Sequence, residues 1–95
     1  MNPLTYARLS LQRALLGVVT PNLRAVYIDV DEKAKKLFIS FFYDGEISDE
    51  LFDITSTAIA EVDVPEYHEL DDHIERLDFP KKIPSRGHLV YLRKE

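Results

Sequence analysis

Leu4, Ala7, Leu11, Ala14, Leu15 and Val18 recur along the first segment of the chain at steps of three and four residues. That is the period of one face of an α-helix. Arg8, Gln12 and Arg13 fall largely between them. Asn2 can cap the helix with its side-chain oxygen, and Pro3 follows at the first helical position, where a missing N–H costs nothing. Thr20-Pro21-Asn22 supplies a stop, because proline disfavours helical geometry in the residue before it. The pattern predicts a helix near 3–18.

From Leu23 to Asp31 the period changes to two, with Val26, Ile28 and Val30 on one side and Ala25, Tyr27 and Asp29 on the other, the alternation of a strand. After the polar connection Glu32-Lys33-Ala34-Lys35, the run from Leu37 to Tyr43 is almost continuously apolar. Such a strand is covered on both faces or offers one apolar face to a partner. Asp44-Gly45 ends it. Ser48 can cap a second helix near 48–62, and Asp49 and Glu50 in its first turn oppose the positive end of its dipole. Leu51, Ile54, Ala58, Ile59 and Val62 form its stripe, with Thr55 beside them. Thr55-Ser56-Thr57 is poor helix material, yet the period is 3.6 and Pro65 closes the segment.

Tyr67 to Phe79 alternates imperfectly through Leu70, Ile74 and Leu77, and the slip between Ile74 and Leu77 suggests a bulge. Pro80 and Pro84 bracket a rigid loop, and Gly87 to Lys94 reads as the last strand. The order α-β-β-α-β-β predicts an α+β fold in one domain over 1–95, with two helices packed on one face of a four-stranded antiparallel sheet.

A chain of 95 residues without cysteine has neither a disulfide framework nor a thiolate metal site, which makes a reducing cytoplasm the expected setting. No apolar run approaches the ~20 residues of a membrane span. Met1-Asn2-Pro3-Leu4 carries no basic region or cleavage-like site, so no secretion signal is expected.

The net charge of −5 is unevenly spread. Residues 1–24 carry +3, residues 25–78 carry −12 and residues 79–95 carry +4. An acidic middle of this density repels a phosphate backbone and attracts a basic partner. A face that is merely solvated is the competing explanation.

Chemical motifs are sparse. Asp29, Asp31 and Glu32 lack the ligand number and the glycine turn of a calcium loop. His68, Asp71, Asp72 and His73 resemble a metal group only loosely, since histidines five apart in a strand face opposite sides. No metal and no cofactor are expected. Ser10, Ser40, Ser48, Ser56 and Ser85 lie in no glycine-flanked elbow. An enzyme is therefore not expected, and a small hydrolase using His68 or His73 stands third among the functional readings. Tyr27, Phe38, Phe41, Phe42, Tyr43 and Tyr91 concentrate aromatics in the expected sheet. About half of them belong under the helices, and the rest belong to an open face that a homodimer or another protein could cover.

Leu4-Thr5-Tyr6-Ala7-Arg8-Leu9, Phe42-Tyr43-Asp44-Gly45-Glu46 and Arg86-Gly87-His88-Leu89-Val90-Tyr91-Leu92-Arg93, taken with the order of elements, resemble small uncharacterised bacterial proteins. These in turn resemble immunity proteins of contact-dependent or colicin-like toxin systems. The resemblance implies a cytoplasmic protein that binds and neutralises a toxin domain, and it brings no active-site residue with it. The expected binding residues are Asp29, Asp31, Glu32, Asp44, Glu46, Asp49, Glu50 and Asp53, acids that would occupy the basic cleft of a toxin. The alternative is a housekeeping interaction module that forms a homodimer through its sheet.

Overall fold

The computed structural model describes residues 2–62 and 64–95. Helix α1 spans Pro3–Leu15, strands β1 and β2 span Leu23–Asp31 and Lys36–Tyr43, helix α2 spans Asp49–Ala60, and strands β3 and β4 span Glu69–Arg76 and His88–Leu92. Both helix starts follow from capping. Asn2 Oδ1 accepts the Thr5 N–H at 2.8 Å, and Ser48 Oγ accepts the Leu51 N–H at 3.1 Å. Helix α1 ends at Leu15, short of the expected boundary, because Gly17 turns the chain with φ +82°, a conformation that glycine adopts without steric cost. Val18 still packs against the core from beyond the helix.

Both helices lie on one face of a four-stranded sheet in the order β3-β2-β1-β4. The sheet is mixed. Strand β1 runs antiparallel to β2 and to β4, but β3 runs parallel to β2, with Lys36 opposite Glu69 and Tyr43 opposite Arg76. This corrects the expected all-antiparallel sheet. Helix α2 carries the chain back along the sheet before β3 begins, and a crossover of this kind makes its two flanking strands parallel. The His68 N–H donates to the Lys35 carbonyl at 2.9 Å and sets the register at its start. The last two strands are not a hairpin, since they occupy opposite edges.

The expected bulge after Ile74 is absent. The β2–β3 register is continuous, β3 ends at Arg76, and Leu77 lies beyond it, donating its N–H to the Tyr43 carbonyl at 2.7 Å. The irregularities fall on β1 instead, between Leu23 and Ala25 against β2 and between Val26 and Tyr27 against β4. The first lets Leu23 and Val26, three residues apart, both join the core.

That core is Ala7, Leu11 and Leu15 of α1, Leu51 and Ile59 of α2, and Val26, Ile28, Leu37, Ile39, Phe41 and Tyr43 of the sheet. Strand parity sends Ala25, Tyr27 and Asp29 to the other face, with Phe38, Ser40 and Phe42 of β2 and Asp71, His73 and Glu75 of β3. Phe42 is nonetheless fully buried there. Residues 77–87 must cross from the β3 edge to the β4 edge, and Gly87 rests against Asp29 and the Ile28 carbonyl. At Gly87 the crossing segment lies against the end of that face, where Asp29, Asp71 and His73 stay exposed.

Candidate functional site

Two features of the surface carry chemistry: a cleft under the crossing segment, and acids at both ends of β2. The cleft measures about 440 Å³ and is lined by Asp29, Phe38, Ser40, Asp71, His73, Ser85 and Arg86, among others. Its floor is two cross-strand rows. Asp29, Phe38 and Asp71 lie opposite one another across β1, β2 and β3, and Tyr27, Ser40 and His73 form the next row. His73 Nε2 lies 2.8 Å from Glu75 Oε1, and the His73 ring meets Phe42 edge-on with centroids 6.5 Å apart. The roof approaches the floor so closely that a Cβ on Gly87 would stand 2.7 Å from the Asp29 Cβ.

The expected binding acids divide into groups. Asp31 and Glu32 sit at the β1–β2 turn. Asp31 Oδ1 accepts the N–H groups of Lys33 and Ala34 at 3.0 and 3.1 Å. Glu32 lies 3.6 Å from Lys35 Nζ and accepts the Tyr67 hydroxyl at 2.8 Å. Burial, with Glu32 second, pushes the Tyr67 phenol up to about 12. Asp44, Glu46, Asp49, Glu50 and Asp53 lie at the other end of β2, roughly 23 Å away at the usual rise per residue. Asp29 stands apart from both groups, in the cleft.

Asp44 is held in a network. Its Oδ2 accepts from Arg93 Nη2 at 3.2 Å and its Oδ1 from the Phe79 N–H at 3.2 Å. Arg93 also reaches Glu95 at 2.9 Å, and Glu95 in turn binds Arg24. Asp78 accepts from Arg76 at 3.0 Å and from the Gly45 N–H at 2.7 Å, bonds that hold its carboxyl below the usual range. Glu46, Asp49, Glu50 and Asp53 are exposed and have no ion-pair partner among the described residues. Asp49 and Glu50 occupy the first turn of α2, where the helix dipole favours negative charge.

Sequence reasoning passed over Ser40, Ser85 and Arg86 as cleft residues and Arg24 as a buried cation. The length of the 77–87 segment was the available signal. Among the described residues no group of three or more His, Asp or Glu side chains is placed to hold a metal, and no helix is long and apolar enough to cross a membrane.

A family model described as MafI2 immunity protein matches residues 5–95, nearly the whole fold. The chain belongs to the MafI2 immunity protein family. Comparison with curated protein sequences gives no match. Membership of the MafI2 family supports toxin neutralisation as the role and a toxin as the partner, in agreement with the resemblance carried by the first helix, the Phe42–Glu46 corner and the last strand.

Proposed function

We propose that this MafI2 immunity protein neutralises its toxin by binding it without chemistry, using acidic side chains against a basic toxin domain. The family match over residues 5–95 carries the reading. Its electrostatic part is supported by Glu46, Asp49, Glu50 and Asp53, which are exposed and make no close ion pair among the described residues, Glu46 feeling the charge of nearby Arg76. Charges placed this way cost nothing to free and steer a basic partner from a distance. Asp31, Glu32 and Asp44 already serve the fold, so they act at the margin of the interface. Asp29 acts from within the cleft. Complementarity of this sign also disfavours nucleic acid as a ligand.

The test is co-expression, in the cytoplasm, with the toxin domain encoded beside the gene. Rescue of growth, with recovery of a purified complex, is the expected result. Failure of the wild-type protein to rescue growth or to bind that domain would overturn the proposal.

A further inference from the structure

The Asp29–Phe38–Asp71 row has the chemistry of a cation receptor, an aromatic ring flanked by carboxylates. One half of it is already filled from within. Lys36 Nζ lies 3.8 Å from Asp71 Oδ2 and 5.3 Å from the centre of the Phe38 ring. Asp29 Oδ1 accepts the neighbouring Val30 N–H at 2.9 Å, and no cation pairs with Asp29 among the described residues.

Ser40 supplies the independent observation. It lines the same cleft and is only 8% exposed, yet its hydroxyl makes no hydrogen bond among the described residues. Its oxygen opens into the cleft, free to bond a group that enters there. Arg86 brings a positive charge to the roof. On the cleft side the acids outnumber the cations: Glu69 and Asp71 share Lys36, Glu75 meets His73, and Asp29 has no cation among the described residues.

We propose that this cleft is a socket for an arginine side chain of the toxin, its guanidinium paired with Asp29, hydrogen-bonded to the Ser40 hydroxyl and laid against the Phe38 ring. Arginine fits better than lysine because a planar fork of donors can serve a carboxylate and a hydroxyl while stacking on a ring. The cleft volume of about 440 Å³ suits a single inserted group. The assignment of the occupant to the toxin rests on the proposed function.

Two arms test it. In the first, ¹⁵N-labelled protein is titrated with N-acetyl-arginine amide, an arginine side chain on its own. Saturable amide shifts centred on Phe38, Ser40 and Gly87, lost in Asp29→Asn, are expected. Shifts absent, or spread evenly over the first turn of α2 and along β3, would overturn the socket. In the second, Asp29→Asn and Ser40→Ala are measured against the toxin domain encoded beside the gene. Asp29→Asn should weaken binding roughly ten- to a hundredfold and Ser40→Ala several-fold, with thermal midpoints unchanged. A toxin that binds both variants as tightly as wild type overturns the socket and leaves the immunity function standing. A toxin that does not bind even the wild-type protein overturns the function itself.

Discussion

Arg24 and Glu95, 71 residues apart in sequence, meet in a two-pronged ion pair, Nε to Oε2 at 2.7 Å and Nη2 to Oε1 at 2.9 Å. The third arm of the guanidinium donates to the Leu77 carbonyl at 2.8 Å, and the Phe79 ring lies 5.8 Å from its centre. Arg24 is 2% exposed. A charge this deeply buried is tolerated only when its partner is present. The pair therefore ties the start of β1 to the chain leaving β3 and β4, and holds the crossing segment down at one end.

The carboxyl of Glu95 is drawn from 4.5 down to about 2, chiefly by its hydrogen bond from Arg24 and then by Arg93. A depressed carboxylate contributes stability that is complete above its unfolded value and is lost as pH falls through its folded one. Urea midpoints of Glu95→Gln should lie below wild type at neutral pH. The gap should narrow from about 4.5 downward and close near pH 2. A gap that stays constant through that window would show that Glu95 does not stabilise the fold as an anion.

Leu15 and Leu16 are neighbours with opposite fates, 5% and 79% exposed. Leu15→Ala opens a cavity in a small core and should cost ~2–5 kcal/mol. Leu16→Ala removes only surface and should change stability by less than ~0.5 kcal/mol. Urea unfolding of the two variants checks the rotation of α1 on the sheet. Equal losses would mean that the helix packs by another face.

Much of this fold is legible because its signals are local. The Leu23–Asp31 strand, the Asn2 and Ser48 caps and the buried stripe of α2 each follow from a few adjacent residues. The direction of β3 is not local. Glu69 to Arg76 alternates equally well beside β2 in either direction, and only the return path through α2 decides. A hint lay in residues 77–87, too long and too proline-rich for a hairpin connection of ~2–5 residues. Ser40 and His73 share the cleft floor only in the parallel register, so no motif announces them. The acids were legible as a charge excess and as groups near the hairpin end and the start of α2, because both positions follow from the order of elements.

Tyr43 and Thr55 share a buried hydrogen bond of 2.6 Å, and Thr55 Oγ1 donates its one proton to the Leu51 carbonyl at 2.8 Å. The Tyr43 hydroxyl must therefore be the donor between them. Burial also pushes its phenol up from 10.0, which keeps that proton in place. Tyr43→Phe removes a donor and strands none, so it should cost ~0.5–1.5 kcal/mol. Thr55→Val leaves the Tyr43 hydroxyl buried without its acceptor and should cost more, ~1–3 kcal/mol. Chemical denaturation that ranks the two in the reverse order would reject this donor assignment.

Gly87 and Gly45 both have positive φ, +109° and +86°, but only Gly87 is crowded. A Cβ there would meet the Asp29 Cβ and the Ile28 carbonyl, each at 2.7 Å, whereas at Gly45 nothing lies within 4 Å. Gly45→Ala should carry only the left-handed backbone cost of ~1–2 kcal/mol. Gly87→Ala adds a clash with backbone, so it should cost more and shift the amide resonances of Asp29 and Phe38. Equal losses, with those resonances unmoved, would show that the roof of the cleft is not seated on β1.

Asp49 and Glu50 lie in the first turn of α2 without ion-pair partners among the described residues, and so their charges can be reversed without breaking a contact. Lysine there opposes the helix dipole, a penalty of ~0.3–1 kcal/mol per residue at an exposed position, which leaves the fold intact. Steering by these carboxylates raises the association rate at low salt, and screening removes the gain beyond about 10 Å at 0.1 M. The double variant Asp49→Lys/Glu50→Lys should therefore bind the toxin domain with a slower on-rate and a flatter dependence on salt. Its dissociation rate should change far less, because charges at the margin of an interface act on encounter more than on residence. Stopped-flow association across a salt series separates the two. An unchanged on-rate, or binding that strengthens as salt is added, would make this corner of the molecule a solvated face and leave the cleft to carry recognition.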